Sequence, residues 1–320
     1  MSGRILVIRG GALGDFVLTL PALALLRKHL PQAELEILGY PHIAALAERR
    51  HYASRVRSIE YGALAGFFAR NGTLDPELCS YFAGFSQIIS YLYDPDGIFE
   101  ANLRSCGVRN YLAAYSKPSA RHAAIEWAKP LEKLALFLDN PAAHLYPSEG
   151  DRREASQWLG GGEAAKPVRL ALHPGSGSPT KNWTPEGWAR IGERFWQGHL
   201  RGEIVLVGGE ADQAVLSFLE ERWKGRGVRI ARQLGLPLLA AILAECGCYA
   251  GHDSGISHVA AAAGARCVLL FGPTDPGIWA PTNPGVSVFL APGGDWAALN
   301  EERVWGAVRD LWAGPGKETK

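Results

Sequence analysis

The chain has 320 residues, a formal net charge of +1 at pH 7, 47% hydrophobic residues and 20% charged residues. Because this length exceeds what one ordinary core occupies, it favours two domains of about 150 residues each. The balanced charge provides no basic surplus for nucleic acid, and no apolar run approaches a membrane span.

The N-terminus and the cysteines indicate a cytoplasmic protein. The opening segment, MSGRILVIRGG, lacks the apolar core and the cleavage site of a signal peptide. The cysteines are odd in number and scattered, which predicts reduced, mostly buried thiols. They are Cys79, Cys106, Cys246, Cys248 and Cys267.

The first half of the chain alternates between strand and helix patterns. Apolar runs typical of buried strands cover 4–8, 34–38, 56–59, 88–93 and 108–111. Helix patterns cover 16–30, 41–50 and 120–138, with shorter ones near Phe67 and Leu78. This alternation predicts a parallel sheet with right-handed crossovers.

The second half repeats the alternation after a proline-containing segment at 139–150, which resembles a linker. Strand patterns cover 168–172, 204–207, 229–230, 267–271 and 286–290, and another short strand ends at Ala250. Helix patterns follow Thr184, cover 212–224 and 236–245, begin again at Gly255 and close the chain at 296–312. The sequence therefore predicts an α/β protein of two doubly wound domains, 1–150 and 151–320. The last helix is a candidate to pack back on the N-terminal domain.

Two loops of the second half are candidate anion sites. In 251–264, GHDSGISHVAAAAG, a polar turn at Asp253 and Ser254 opens a small-residue helix, whose N-terminus attracts phosphate. The plainer interpretation is that one of these side chains only caps the helix. In 173–183, HPGSGSPTKNW, glycines let backbone N–H groups approach an anion and Lys181 adds positive charge, although a solvated loop lysine would look the same.

The loop after the first strand, Gly10 to Asp15, departs from the dinucleotide-binding pattern. Arg9 stands where the first glycine is required, and the second strand ends without a carboxylate for a ribose. No GK[ST] follows, so a P-loop is excluded. Asp15 then lies in the first turn of a helix, as either a helix-start carboxylate or a base that faces a ligand crevice. Ligands of open α/β sheets bind at the carboxyl ends of strands, so these loops could share one crevice between the domains.

Metal and hydrolase chemistry find little support. Asp94-Pro95-Asp96 has the spelling of a metal-binding DxD, but Asp-Pro-Asp-Gly is a strong turn former. His173, His252 and His258 match no standard zinc spacing, so no metal site is expected. No GxSxG elbow is present for a serine hydrolase.

Taken together, the loops resemble glycosyltransferase family 9, the heptosyltransferases of lipopolysaccharide core synthesis. The resemblance is carried by four blocks in family order: GDFVLTLPAL at 14–23, HPGS at 173–176 with KNW at 181–183, HDSGISHVAA at 252–261, and FGPTDP at 271–276. One departure is Thr184, which separates the tryptophan from Pro185, and residues 60–87 match no family block.

The resemblance implies a GT-B architecture, with an N-terminal acceptor domain and a C-terminal nucleotide-sugar domain facing a central crevice. It also implies inverting, metal-independent transfer without a cofactor, commonly from ADP-heptose to a glycolipid or oligosaccharide of the lipopolysaccharide core. Such an acceptor makes the inner face of the inner membrane a candidate for peripheral contact. Basic residues in the acceptor half that could serve it are Arg104, Arg109, Lys117, Arg121 and Lys129.

Carried over by position, Asp15 would be the general base, on an acceptor-side loop with Gly11, Ala12 and Gly14. Lys181 and the N–H groups of Ser254 and Gly255 would hold the diphosphate. The remaining donor-side residues would be Ser176, Asp253 beside the sugar, His258, and Asp212 on the ribose, with Glu210 as its alternative. A nucleotide-sugar epimerase or hydrolase, and a non-catalytic nucleotide-sugar binder, remain alternative functions.

Overall fold

A computed structural model describes residues 3–161 and 167–312 of the chain. The chain divides into two compact units, Met1–Pro141 and Ala142–Lys320, which are called the N-terminal and C-terminal units below. The division falls within the proline-containing segment at 139–150. Each unit is built on its own parallel sheet.

The N-terminal unit has a five-stranded sheet in the order β3-β2-β1-β4-β5, with every neighbouring pair parallel. Its strands are β1 (Arg4–Arg9), β2 (Glu34–Gly39), β3 (Arg55–Ser58), β4 (Gln87–Ser90) and β5 (Tyr111–Ala113). Its α-helices are α1 (Leu13–His29), α2 (Pro41–Ala44), α3 (Pro76–Ala83), α4 (Ile98–Ser105) and α5 (Ala123–Ala128). Shorter 3-10 helices cover Gly62–Phe68 and Lys129–Leu134.

The C-terminal unit has a six-stranded parallel sheet in the order β11-β10-β9-β6-β7-β8. Its strands are β6 (Arg169–His173), β7 (Glu203–Gly208), β8 (Val228–Arg232), β9 (Cys248–His252), β10 (Arg266–Phe271) and β11 (Val286–Leu290). Its α-helices are α6 (Glu149–Trp158), α7 (Pro185–Gly198), α8 (Gln213–Arg222), α9 (Leu236–Cys246), α10 (Gly255–Ala262), α11 (Pro276–Trp279) and α12 (Glu301–Asp310). Short 3-10 helices include Pro179–Lys181 and Glu210–Asp212.

The central strands are buried on both faces, as their apolar runs predict. Residues of β1, β6, β9 and β10 lie in the interior of the two sheets with almost no exposed surface. The fold class predicted from the sequence is thereby confirmed: two Rossmann-like α/β domains with parallel sheets.

Several helices differ from their predicted extents. The pattern at 120–138 becomes α5 followed by a 3-10 helix, and Pro130 stands where the change occurs because proline cannot continue an α-helix. Helix α4 was not predicted. Helix α6 begins inside the predicted linker, where Ser148 and Asp151 cap it reciprocally.

The segment at 60–87, which matches no family block, belongs to the core of the N-terminal unit. Leu64, Phe67 and Phe82 are buried there, and Phe67 and Phe82 pack with ring centroids 5.2 Å apart. Cys79 and Cys106 are joined in a disulfide, so the prediction of reduced thiols was wrong for these two. The other three cysteines are free and buried.

The described part of the last helical segment, α12, packs within the C-terminal unit. Val304 and Val308 are fully buried in the same core as Phe195 and Leu270. The position of α12 is therefore set by α7 and β10. In the described part of the chain, no helix combines the length and the apolar character needed to cross a bilayer.

Candidate active site

Each sheet has one point where the strand order reverses, and such a point opens a crevice at the carboxyl ends of the strands. In the N-terminal unit it lies between β1 and β4, and in the C-terminal unit between β6 and β9. The polar loops singled out from the sequence follow β1, β6 and β9. The topology therefore places the predicted site residues at the positions where open α/β sheets bind ligands.

A pocket of about 400 Å³ opens at the switch point of the N-terminal unit. We call it the N-terminal pocket. Its lining comes from the ends of β1, β2, β3 and β4 and from segments further along the chain: Arg9, Gly10, Gly11, Asp15, Tyr40, Ile59, Glu60, Phe68, Tyr91, Leu92, Tyr93 and Tyr115. The volume is within the range of small-molecule sites.

Asp15 presents a half-buried carboxylate to this pocket. Its Oδ2 accepts a hydrogen bond of 3.3 Å from the N–H of Ala12, the residue that caps α1. Gly11 has φ +94°, and a Cβ there would lie 3.0 Å from the same oxygen. Glycine therefore suits both the backbone conformation and the space beside the carboxylate. Among the described residues no group binds Oδ1, so that oxygen can accept a proton or a hydrogen bond from a ligand.

Arg9 lies under the loop as a buried cation. Its guanidinium is 4.3 Å from the ring centroid of Trp127, and it donates to the backbone carbonyl of Asp15 at 3.2 Å. Burial lowers the pKa of Arg9, and the charge of Asp15 opposes that shift. Arg9 therefore fixes the backbone at the start of α1 and places positive charge near the carboxylate of Asp15. Sequence reasoning treated it only as a mismatch to a glycine motif.

In the C-terminal unit, the turn after β9 caps α10. The Ser254 side chain accepts a hydrogen bond from the N–H of Ser257, and Gly255 is the first helical residue. The first N–H groups of an α-helix have no intrahelical acceptor, so those of Gly255 and Ile256, directly after β9, can donate to a ligand. The turn thus has both features that the sequence suggested. A side chain caps the helix, and the helix N-terminus keeps N–H donors that no intrahelical acceptor uses.

Lys181 lies beside this helix start. Its Nζ is 2.6 Å from Oδ2 of Asp253, and the hydroxyl of Thr274 donates to the same oxygen at 2.6 Å. The loops after β6, β9 and β10 therefore meet at one carboxylate. Lys181 is 28% exposed at its side chain, whereas Asp253 is 9% exposed, so the lysine can exchange its partner for a ligand.

A buried histidine, His173, connects the loop after β9 with the loop after β7. His173, at the end of β6, has Nδ1 3.2 Å from the hydroxyl of Ser254 and Nε2 3.4 Å from Oδ2 of Asp212. Because a carboxylate only accepts, Nε2 donates to Asp212, and Nδ1 shares the second hydrogen bond with the hydroxyl of Ser254. Burial opposes ionisation of Asp212, but hydrogen bonds from His173 and the N–H of Gly209 hold its pKa below the ordinary value.

Gly175 is required by this arrangement. A Cβ at Gly175 would lie 1.7 Å from Oδ1 of Asp212, which no side chain could tolerate. The glycine of HPGS therefore lets the loop close over the carboxylate.

His252, at the end of β9, binds the backbone of the loop after β6, which carries Lys181. Its Nε2 accepts from the N–H of Trp183 at 2.7 Å, and its Nδ1 lies 3.4 Å from the carbonyl of Gly175. Only the neutral ring can do both. Burial, reinforced by the neighbouring His173, lowers the pKa of His252 to about 3, which keeps the ring neutral.

Five predicted residues come together with His173, which was not predicted as a site residue. We call this group the C-terminal cluster: His173, Lys181, Asp212, Asp253, Ser254 and Gly255. Ser176 lies at its edge and bonds to the Asn182 side chain at 2.6 Å. His258 is buried on α10. Glu210 is exposed and accepts from Gln233 at 3.3 Å. Sequence reasoning missed the roles of His173, His252 and Thr274, although each histidine ends a buried strand, which was an available signal.

Within 3–161 and 167–312, no group of three or more His, Cys, Asp or Glu side chains is arranged to hold a metal ion. Positive charge in the C-terminal cluster comes from Lys181 and from the start of α10. These groups suit a diphosphate.

Comparison with known proteins supplies the class. The model of glycosyltransferase family 9 (heptosyltransferase) matches residues 99–304. Lipopolysaccharide heptosyltransferase 1 of Pseudomonas aeruginosa is 25% identical over 304 residues, which cover 86% of this chain and 80% of that protein.

Solved structures share the fold. A glycosyltransferase of family 9 from Veillonella parvula superposes with a TM-score of 0.80 at 20% identity, covering 97% of this chain and 98% of that one. The ADP-heptose lipopolysaccharide heptosyltransferase II of E. coli gives a TM-score of 0.77 at 16% identity, covering 96% and 98%. At these identities the structures establish the fold alone.

The fold, the family match and the loops at the switch points together define a glycosyltransferase of GT-B architecture, which is an enzyme. The chain belongs to glycosyltransferase family 9, the heptosyltransferases. The resemblance drawn from the four sequence blocks is confirmed.

Proposed function

We propose that this enzyme transfers heptose from ADP-heptose to a glycan acceptor of lipopolysaccharide core synthesis, with inversion and without a metal ion. The observation that carries the proposal is that each unit has a site of its own at its switch point. One presents the carboxylate of Asp15 in a sugar-sized pocket, and the other presents Lys181 beside the N-terminus of α10. The family and its lipopolysaccharide heptosyltransferase relatives supply the donor and the pathway.

The donor would bind at the C-terminal cluster. Lys181 would release Asp253 and donate to the diphosphate, while the N–H groups of Gly255 and Ile256 bind the same anion. Asp253, freed on one side, would accept a hydroxyl of the donor sugar. Ser176 and His258 complete the donor-side residues in this proposal.

The contacts favour Glu210 over Asp212 as the carboxylate that binds the ribose. The carboxylate of Asp212 is committed to His173 and Gly209, and it is buried. Glu210, two residues earlier, is exposed at the end of β7. We therefore assign ribose binding to Glu210 and give Asp212 the role of orienting His173.

Transfer would proceed by direct displacement. Asp15 accepts the proton of the acceptor hydroxyl as that oxygen forms its bond to the anomeric carbon. The bond from this carbon to the diphosphate oxygen breaks, and ADP leaves with the electron pair. Lys181 and the start of α10 stabilise the added negative charge. Attack opposite the leaving group inverts the configuration.

Basic residues of the N-terminal unit are candidates to recognise an acceptor at a membrane surface. Of the basic residues in the N-terminal unit, Arg104 pairs with Glu100 at 2.8 Å and Arg121 with Glu126 at 3.7 Å. Exposed pairs of this kind contribute little to stability, so both arginines can exchange their partners for lipid phosphates. We propose peripheral contact through this half of the chain.

The test is transfer from ADP-heptose to lipopolysaccharide that lacks heptose. Asp15→Asn should lower kcat by about a thousandfold, because a positioned base contributes roughly 10² to 10⁴ in rate. ADP affinity, measured by calorimetry, should stay at the parental value. Glu60→Gln removes the other carboxylate of the N-terminal pocket, and it should lower kcat far less than Asp15→Asn does.

Two results would contradict the proposal. If the Asn variant transfers at the parental rate, Asp15 is not the base. If the parental enzyme only hydrolyses ADP-heptose, or binds it without turnover, the reaction class is wrong.

A further inference from the structure

Three large aromatic side chains of the N-terminal pocket are exposed. Tyr93 is 70% exposed, Phe68 46% and Tyr115 45%, and all three line the same pocket as Asp15. Apolar rings gathered in a concave site, in contrast to rings scattered singly, mark a surface that a ligand covers.

The rings come from separate elements and are held in place. Tyr93 follows β4 and Tyr115 follows β5, and their ring centroids are 5.0 Å apart with an interplanar angle of 51°. Phe68 stacks on the buried ring of Phe99 at 4.8 Å and 20°. The segments after β4 and β5 therefore present two adjoining tyrosine rings, and the 3-10 helix Gly62–Phe68 presents one supported phenylalanine ring.

The charges in this pocket select the kind of ligand. Asp15, Glu60 and Arg9 line it, and the guanidinium of Arg9 is already engaged with Trp127 and the backbone carbonyl of Asp15. Two carboxylates against one engaged cation leave the pocket negative, which disfavours a phosphate-bearing nucleotide there. A carboxylate accepts hydrogen bonds from sugar hydroxyls, and an aromatic ring packs against the C–H face of a sugar ring. Two acceptors beside exposed aromatic rings fit a pyranose.

We propose that Tyr93 and Tyr115 form a stacking platform for the acceptor sugar, which we call the tyrosine platform. A pyranose lies on it with one hydroxyl directed to Asp15, and Phe68 limits the pocket on another side. The tyrosine platform then sets which sugar is accepted and which of its hydroxyls reaches the base. This inference rests on the proposed function, because it assigns the acceptor site of that same reaction.

Steady-state kinetics with ADP-heptose and a deacylated, heptose-free core oligosaccharide test the platform. Tyr93→Ala and Tyr115→Ala should each raise the KM for the oligosaccharide about tenfold, or roughly 1.4 kcal/mol, with the KM for ADP-heptose unchanged. Tyr93→Phe keeps the ring face and should restore the parental KM. Phe137→Ala is the matched control, since Phe137 is 61% exposed in the same unit but does not line the pocket.

A binding experiment separates this inference from the proposed function. Saturation-transfer NMR on donor-free Asp15→Asn protein should show the core oligosaccharide bound through its ring protons. The double variants that combine Asp15→Asn with Tyr93→Ala or with Tyr115→Ala should lose that signal. Unchanged acceptor KM and NMR signal in both alanine variants would overturn the tyrosine platform while transfer itself stands. If the parental enzyme transfers to no sugar but still binds the oligosaccharide at the tyrosines, the proposed function fails and the site remains.

Discussion

The two switch points of this enzyme are built differently. In the C-terminal cluster, loops from four strands are tied together by side-chain hydrogen bonds, and His173, Asp212, Asp253 and Ser254 are all buried. In the N-terminal pocket, the carboxylate of Asp15 has one backbone partner among the described residues, and five of the twelve lining residues are aromatic.

This difference fits the two substrates of the proposed reaction. A diphosphate has a fixed shape and charge, so donors held in advance by a hydrogen-bonded network bind it without reorganisation. A glycan offers ring faces and hydroxyls in many arrangements, which an open aromatic wall accommodates. We expect changes in the C-terminal cluster to act on donor affinity, and changes in the N-terminal pocket to act on the acceptor and on the rate.

The largest effect expected in the C-terminal cluster comes from Lys181→Ala. Loss of a charge-assisted hydrogen bond to phosphate should weaken ADP binding by about thirtyfold, or roughly 2 kcal/mol. Calorimetry with ADP measures this, and Lys224→Ala is the control, because Lys224 is an exposed lysine of the same unit that pairs with Glu221. If Lys181→Ala binds ADP with the parental affinity, the C-terminal cluster is not the diphosphate site.

The second prediction concerns the pH dependence of stability through His252. Its pKa falls from about 6.5 in the unfolded chain to about 3 in the fold, so the unfolded state binds the extra proton between these values. Stability contributed by the neutral ring is complete above pH 6.5 and is lost as the pH falls toward 3. Between pH 7 and pH 5 the free energy of unfolding should drop by about 2 kcal/mol from this group.

Urea unfolding at the two pH values measures this drop. His252→Gln keeps an acceptor for the N–H of Trp183 and cannot be protonated, so its stability should change less over the same range. The stability that ionised Asp212 contributes is also lost on acidification, but only at pH values below the ordinary carboxylate pKa. The contributions of His252 and Asp212 therefore fall in different pH ranges. Equal pH slopes in parent and variant would show that His252 titrates normally.

The smallest predicted effect is that of Thr274→Val. This near-isosteric change removes the hydroxyl that donates to Asp253, and should weaken ADP binding about fivefold, or roughly 1 kcal/mol. The acceptor KM should stay unchanged. A larger effect on the acceptor than on ADP would mean that the donor and acceptor roles of the two sites are assigned the wrong way round.

Much of this protein was predictable from the sequence. Buried strands appear as apolar runs, and Asp15, Lys181 and Ser254 each follow such a run at a glycine-containing turn or helix start. These signals are local, because burial on both faces and helix capping are each set by a few consecutive residues. The missed helices α4 and α6 lie where turn and linker residues obscure the pattern.

The tertiary structure alone decided which residues meet. His173 contacts Asp212 and Ser254 because β6 lies between β7 and β9, and Tyr93 reaches Tyr115 because β4 and β5 are neighbours. Strand order depends on packing between distant segments, which no short stretch of sequence encodes. The sequence by itself therefore determined the class of enzyme and its loops. The fold decided that one site is a buried hydrogen-bonded network and the other an open aromatic pocket.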